Sequence, residues 1–133
     1  MDRLFLDANV LFSAAFRAGA GLNELWKLKD VTLCSLRYTL EEARINLAED
    51  DQKKRLIRLS GPLCFFDAAV RDLPRGVHLP DKDAPILLAA IEARATHLLT
   101  GDVRHFGPYF GKQIEGVEIV LPGHYLRSRD REA

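Results

Sequence analysis

The chain has 133 residues, of which 47% are apolar and 29% are charged, with only 9 glycines and 6 prolines. This profile is typical of one globular domain, residues 1–133, whose core is large enough to need no disulfide or structural metal. Nineteen Lys and Arg residues balance nineteen Asp and Glu residues, which excludes a polybasic nucleic-acid-binding protein of the histone type. Any bound nucleic acid must therefore contact a local cationic patch or bound cations.

The cysteines and the N-terminus bear on the cellular compartment. Cys34 and Cys64 lie in apolar surroundings, without the spacing of a zinc site or a disulfide framework, so we expect two buried free thiols. The N-terminal residues MDRLFLDAN lack the pattern of a signal peptide, and no apolar run approaches the roughly 20 residues of a membrane-spanning helix. We therefore expect a cytoplasmic protein that does not contact a membrane.

Short apolar runs alternate with helical stripes along the chain. The run at 3–8 is broken by a single acid, which is typical of a strand buried on both faces. In the first half of the chain, the sequence predicts a strand at 3–8, a helix capped by Asn9 and ended by Gly19 and Gly21, helical turns at 22–30, a strand at 31–35, and helices at 36–50 and 50–60. In the second half, it predicts a strand from 63, a helix at 84–95, strands at 96–102 and 116–122, a short helix from Pro122 and a frayed end at 128–133.

This alternation predicts an α/β fold with three layers, in which helices flank a central, mostly parallel sheet on both faces. The helix at 84–95 is apolar on nearly all sides, which favours a position packed between layers. In such sheets, functional groups collect beyond the carboxyl ends of the strands. The candidate site residues are therefore the polar residues at the carboxyl edge of the predicted sheet.

Four acids are candidates for a common site there. Asp7 ends the first predicted strand, Asp102 ends the strand at 96–102, and Asp83 stands at the start of the buried helix. Glu42 follows the second strand and can point to the same edge. Carboxylates brought together cost stability unless cations neutralise them. Because hard oxygen ligands select Mg²⁺ or Mn²⁺, the pattern predicts a site for one of these ions.

Three of these acids also have a structural interpretation. Asp83 stands where a helix N-cap would, and Glu42 can close a capping box with Thr39. Asp102 can be an ordinary turn residue. Asp7 is different, because it is flanked by apolar residues at a buried strand end and has no cationic partner nearby in the sequence. The four acids together therefore indicate a metal site more strongly than each acid does alone.

Four segments carry a resemblance to a known family. They are LFLDANVLFSA, TLEEARINL, LPDKDAPILLAAIEARATHLLTGDVRHF and IVLPGHYL, which follow one another over nearly the whole chain. These segments resemble the PIN domain, the nuclease fold shared by VapC-type toxins and many RNA-processing proteins. The third segment, which joins D-x-x-I-L-x-A-A to L-L-T-G-D-x-x-H-F, is the most specific of the four.

The resemblance implies an endoribonuclease that depends on Mg²⁺ or Mn²⁺, of the kind that forms the toxin half of a type II toxin–antitoxin system. It also implies an RNA substrate, an antitoxin protein as partner and a homodimer. Every acid of the family's metal site is present, which argues against a degenerate, binding-only copy. The residues implied as catalytic metal ligands are Asp7, Glu42, Asp83 and Asp102, and the supporting residues are Asn9, Thr100 and, with no defined role, Asp81.

Cations must steer RNA towards a site that is itself acidic. The basic run at 53–58 is one candidate, although a solvated helix face explains the same pattern. Arg104 and His105, which follow Asp102, are two further candidates. The residues predicted to contact RNA are Lys53, Lys54, Arg55, Arg58, Arg104 and His105.

Helix geometry alone does not distinguish Glu41 from Glu42, because the two flank the apolar stripe almost symmetrically. Their neighbours do distinguish them. Glu41 has Arg37 and Arg44 at helical spacing and can form an ordinary surface ion pair, whereas Glu42 has no cation at those spacings. We therefore predict that Glu42 belongs to the metal site.

Other functions fit the sequence less well. Asn9 occupies the position where a phosphoaspartate phosphatase usually has a second acid, and the four histidines lack zinc-site spacing.

Several apolar side chains near the first helices exceed the needs of one small core, which favours a homodimer; they are Phe12, Phe16, Leu22 and Trp26. The alternative to an enzyme is a PIN-fold interaction or scaffold protein that binds metal or RNA without appreciable turnover.

Overall fold

A computed structural model describes residues 1–132, with side chains described up to residue 130. The strands are β1 (Asp2–Leu6), β2 (Val31–Leu36), β3 (Cys64–Phe66), β4 (His97–Leu99), β5 (Gln113–Ile114) and β6 (Val117–Val120). They form one six-stranded sheet in the order β3-β2-β1-β4-β6-β5. The strands pair in parallel except β5, which pairs antiparallel with β6. The prediction of a mostly parallel sheet is confirmed.

Helices cover both faces of this sheet. They are α1 (Ala8–Phe16), α2 (Arg37–Asn46), α3 (Asp50–Ser60), α4 (Ala84–Glu92), α5 (Val103–Phe106) and α6 (Pro122–Glu132), with 3-10 helices at Gly21–Lys27 and Gly107–Tyr109. Among the described residues, no helix is long and apolar enough to cross a membrane.

Each face of the sheet has its own apolar core. Residues alternate along β1, so that Phe5 points to one face while Leu4 and Leu6 point to the other. Helix α4 packs on the Phe5 face, and helices α1, α2, α3 and α6 pack on the opposite face. The result is the three-layer α/β/α architecture that the sequence predicts, with α4 buried as expected.

The helix boundaries differ from the prediction in several places. Asp7, not Asn9, is the N-cap of α1, because its carboxylate accepts a hydrogen bond from the Ala8 backbone N–H. The predicted helix at 36–50 ends at Asn46. The last helix is longer than expected and continues to Glu132, into the stretch predicted to fray, while Ala133 lies outside the described residues.

The prediction of two buried thiols is wrong for one cysteine. Cys34 is buried, and burial raises the pKa of its thiol to about 11, whereas Cys64 is exposed. The two residues lie side by side on the neighbouring strands β2 and β3, which the spacing in the sequence did not indicate. Both are free thiols, as expected.

The strand order determines where a site can form. The chain runs outward from β1 through β2 to β3, and then returns to place β4 on the other side of β1. Helices therefore leave β1 and β4 in opposite directions, which opens a crevice at the carboxyl ends of these two strands. The residues that follow β1 and β4 line this crevice.

Candidate metal centre

Asp7 lies at the centre of the crevice, directly after β1. Its Oδ1 accepts a 2.8 Å hydrogen bond from the Ala8 backbone N–H. Its Oδ2 accepts a 2.8 Å hydrogen bond from the Thr100 hydroxyl and a 3.3 Å hydrogen bond from the side-chain amide of Asn9. Both carboxylate oxygens of Asp7 are thus held in one orientation by groups from the first turn of α1 and from Thr100, directly after β4.

Asn9 and Thr100 join the two sides of the crevice through hydrogen bonds to Asp7, to each other and to Gly101. The Thr100 hydroxyl oxygen accepts a 3.1 Å hydrogen bond from the Asp102 backbone N–H. The Asn9 Oδ1 accepts a 2.7 Å hydrogen bond from the Gly101 backbone N–H. A Cβ at Gly101 would lie 3.2 Å from the Asn9 Oδ1, so glycine permits this close approach.

Glu42 and Asp83 complete the acidic lining. Asp7, Glu42, Asp83 and Asp102 all border one cavity of about 490 Å³, so the structure brings the four predicted acids together. Glu42 reaches it from α2, and Asp83 reaches it from the turn before α4. The alternative role of Glu42 in a capping box with Thr39 is wrong, because α2 already begins at Arg37.

Burial and mutual repulsion shift the pKa values of three acids upward. Burial is the main cause for Asp7, Glu42 and Asp83, and neighbouring carboxylates raise the pKa of each further. Hydrogen bonds from Thr100 and Ala8 offset part of the rise at Asp7. These three groups are therefore costly to keep ionised at neutral pH, and a cation in the cavity would relieve that cost.

Asp102 behaves differently because of His105. Burial favours a higher pKa of Asp102, but hydrogen bonds from the His105 backbone and ring outweigh it and lower the pKa. The His105 backbone N–H lies 3.1 Å from Oδ1, and the ring Nδ1 lies 2.8 Å from Oδ2. Asp102 is thus the N-cap of α5, which gives it a structural role in addition to its place in the cavity.

Asp83 provides the test of whether these residues fit a metal ion. Its side chain is 12% exposed, and its Oδ2 lies 3.0 Å from the His105 Nδ1 but accepts no hydrogen bond from the described residues. The ligand atoms of Asp83, Asp102 and His105 all lie within 4.8 Å of one another. An unsatisfied, buried carboxylate oxygen beside further carboxylates fits a hard divalent cation. The donor set is therefore compatible with Mg²⁺ or Mn²⁺.

Other predicted site residues lie elsewhere. Asp81 is exposed and does not line the cavity. The basic residues of α3 also lie outside it, and Arg55 is only 13% exposed because its Nε donates to the Ala15 carbonyl oxygen at 3.0 Å. Arg104 is exposed on α5, whereas His105 faces Asp83 and Asp102. The remaining residues of the predicted basic run, Lys53, Lys54 and Arg58, are partly or fully exposed.

Sequence reasoning missed several residues that line the cavity. Lys82 places its Nζ 3.9 Å from Oδ1 of Asp83, and its charge offsets part of the rise in the pKa values of Glu42 and Asp83. Tyr38 is 59% exposed at the rim of the cavity. The position of Lys82 between Asp81 and Asp83 could have indicated that its ammonium lies near the acids. Nothing in the sequence indicated that Tyr38 lines the cavity. Phe12 and Asn46 also line the cavity.

The comparisons with known proteins support the fold. A chain in the "Crystal structure of VapBC2 from Rickettsia felis bound to a DNA fragment from their promoter" has a similar fold, with a TM-score of 0.66 and 16% sequence identity. The match covers 88% of the present chain and 96% of the other chain. No family model matches the sequence, and no curated protein shows significant similarity to it. The likeness therefore shows a shared fold across nearly the whole chain.

Proposed function

We propose that the protein is a metal-dependent endoribonuclease of the PIN type that hydrolyses RNA phosphodiester bonds. The observation that carries the proposal is the meeting of Asp7, Glu42, Asp83 and Asp102 around one open cavity at the carboxyl edge of the sheet. The sequence resemblance implies these same four residues as the metal ligands. Their upward pKa shifts and the unsatisfied Oδ2 of Asp83 support a cation there.

Divalent ions bound at such a site supply a nucleophilic water and neutralise charge on the phosphate and the leaving oxygen. The residues of the chain would hold and orient them. Asp7 occupies the middle position, with its orientation set by Thr100 and Asn9. Asp83 and Asp102 would bind on one side of it and Glu42 on the other. No side chain acts as a covalent nucleophile in this scheme, so the main contribution of the chain is the set of carboxylates that would hold the ions.

Features around the cavity support RNA as the substrate. The exposed ring of Tyr38 offers a surface on which an unpaired base can stack. Lys82 offers a cation beside the acids, and its side chain is 67% exposed. We propose that Lys53, Lys54, Arg58 and Arg104, which lie outside the cavity, contact parts of the RNA away from the cleaved bond.

Protein partners form the second part of the proposal. Beside the acidic cavity lies an apolar groove of about 580 Å³, which includes Phe12, Leu22 and the half-exposed Phe16. The similar fold comes from a VapBC2 complex. We propose that this groove contacts a second copy of the chain or an antitoxin. Trp26 does not contribute, because it packs against the core and donates to the Leu59 carbonyl oxygen.

The nuclease proposal is tested by incubating the purified protein with a structured RNA and Mn²⁺. Cleavage at internal positions that stops with EDTA and resumes with excess Mn²⁺ is expected. Metal binding without cleavage of any RNA in a diverse pool would favour the interaction or scaffold protein instead. Sedimentation tests the dimer separately: a 15 kDa species at every concentration would contradict it.

A further inference from the structure

His105 lies against two acids of the proposed metal centre, Asp83 and Asp102, at a position that the four-acid scheme does not use. It lies on the single turn of α5, three residues after the N-cap Asp102. Its backbone N–H and its ring both contact the Asp102 carboxylate, which fixes the ring beside these two acids. The side chain is 24% exposed, so it is partly withdrawn from solvent. These contacts place a ring nitrogen among the carboxylates.

The ring Nδ1 lies between two acidic oxygens. It is 2.8 Å from Oδ2 of Asp102 and 3.0 Å from Oδ2 of Asp83. A carboxylate only accepts hydrogen bonds, and a ring nitrogen carries one hydrogen, so Nδ1 serves a single acceptor well. That acceptor is Asp102, and among the described residues the buried Oδ2 of Asp83 has no hydrogen-bond partner. Oδ2 of Asp83 is thus left without a donor of its own.

The spacing of these three atoms suits ligands of one ion. Ligands about 2.1 Å from an octahedral ion lie roughly 3.0 Å apart when they are adjacent. The two distances from the His105 Nδ1 are close to that value. All three ligand atoms lie within 4.8 Å of one another, so small side-chain movements would bring them onto one ion.

We propose that His105 is a metal ligand, which contributes Nδ1 together with Oδ2 of Asp83 and Oδ2 of Asp102 to one divalent ion. On binding the ion, Nδ1 exchanges its hydrogen bond to Asp102 for the metal, and the neutral ring carries its one hydrogen on Nε2. This inference rests on the proposed metal-dependent function and refines it. Carboxylate oxygens suit Mg²⁺ and Mn²⁺ alike, whereas imidazole nitrogen suits transition metals. Mg²⁺ prefers an all-oxygen environment and keeps several of its waters. The mixed ligand set therefore selects Mn²⁺ over Mg²⁺.

The competing role for His105 is a hydrogen-bond donor that only positions the two carboxylates. His105→Asn separates the two roles, because its side-chain amide retains a donor near the Nδ1 position but offers no imidazole nitrogen. His78→Asn is the matched control, since His78 is exposed and its side chain does not line the cavity. Calorimetry measures the affinities for Mn²⁺ and Mg²⁺, and pulsed electron paramagnetic resonance of the Mn²⁺-loaded protein detects a directly bound nitrogen.

The wild type and His78→Asn are expected to show nitrogen coupling to Mn²⁺, and His105→Asn is expected to lose it. The ratio of Mn²⁺ to Mg²⁺ affinity should fall about tenfold in His105→Asn, chiefly through weaker Mn²⁺ binding. Mn²⁺ binding without nitrogen coupling in the wild type, or an unchanged affinity ratio in His105→Asn, would overturn the assignment.

The outcomes also separate this inference from the proposed function. RNA cleavage with Mn²⁺ but without nitrogen coupling would overturn the role of His105 and leave the nuclease proposal supported. Nitrogen coupling in a protein that cleaves no RNA would support the ligand and contradict the nuclease. Absence of Mn²⁺ binding would overturn both.

Discussion

The Thr100 hydroxyl donates a 2.8 Å hydrogen bond to Oδ2 of Asp7 across the junction between β4 and β1. The same hydroxyl oxygen accepts from the Asp102 backbone N–H at 3.1 Å, so one fully buried side chain orients acids on both sides of the crevice. Thr100 is therefore a positioning residue. Its hydroxyl both stabilises the edge of the sheet and orients the acids of the candidate metal centre.

Thr100→Val should lower the free energy of unfolding by about 2 kcal/mol, because it leaves buried polar groups without partners. Cleavage should fall as well, since Asp7 loses one of the donors that orient it. Thr100→Ser retains the hydroxyl and is expected to keep most of the activity. Urea unfolding and RNA cleavage measured on both variants check the prediction. Equal activity in Thr100→Val and the wild type would show that this hydrogen bond does not position Asp7.

Glu42→Gln should abolish metal-dependent cleavage, whereas Glu41→Gln should retain it. Glu42 borders the cavity, where burial and the charge of Asp7 raise its pKa. Glu41 instead accepts a 2.9 Å hydrogen bond from the Arg44 Nε on the exposed side of α2. Cleavage rates and Mn²⁺ affinities of the two variants provide the measurement. Loss of cleavage in Glu41→Gln with full activity in Glu42→Gln would reverse the assignment.

Without divalent ions, the protein should become more stable as the pH falls from 7 to about 5. The folded-state pKa values of Asp7, Glu42 and Asp83 are raised, so the folded protein binds more protons than the unfolded chain in this range. Asp102 has a lowered pKa, so its ionised form stabilises the folded protein, and this stabilisation is lost only at more acidic pH. Urea unfolding at several pH values in EDTA checks the trend.

Asp7→Asn should flatten this pH dependence, because it removes the most buried of the three acids. Saturating Mn²⁺ should flatten it as well, since the ion binds the folded acids and stabilises them at neutral pH. A wild-type protein that loses stability between pH 7 and 5 in EDTA would show that burial and neighbouring charges do not raise the pKa values of these acids.

Arg55→Met should destabilise the protein, whereas Lys54→Ala should not. Arg55 is largely buried and donates to the Ala15 carbonyl oxygen, which ties α3 to α1. Its loss should cost roughly 1–3 kcal/mol, because the carbonyl loses a charged donor. Lys54 is exposed, and its removal should instead reduce the salt dependence of RNA binding. Thermal unfolding and binding titrations at two salt concentrations separate the two effects.

The meeting of the acids was predictable because the carboxyl ends of parallel strands share one edge. Asp7 and Asp102 follow buried apolar runs, so recognising those runs as strands was enough to place both residues. The choice of Glu42 over Glu41 needed the charges of their neighbours, since helix geometry alone did not decide it. The structure places Glu42 at the cavity and pairs Glu41 with Arg44, as those charges indicated.

Other features depend on contacts that a linear sequence does not display. Asn9 was expected to cap α1, but Asp7 caps it because the strand ends two residues earlier than predicted. The strand β5 was missed because its hairpin turns at Glu115 and Gly116, and a glutamate with a φ of 48° is not a usual turn signal. The orientation of His105 towards the acids follows from the short helix α5, whose four residues carry no periodic pattern.

Asp7→Asn and Asp81→Asn, compared in RNA cleavage with saturating Mn²⁺, test the proposed metal centre most directly. Both changes remove one carboxylate charge, but of the two residues only Asp7 lines the cavity. We expect Asp81→Asn to cleave at the wild-type rate, and Asp7→Asn to show no metal-dependent cleavage and an unchanged or higher melting temperature in EDTA. Full cleavage by Asp7→Asn would contradict the proposed metal centre.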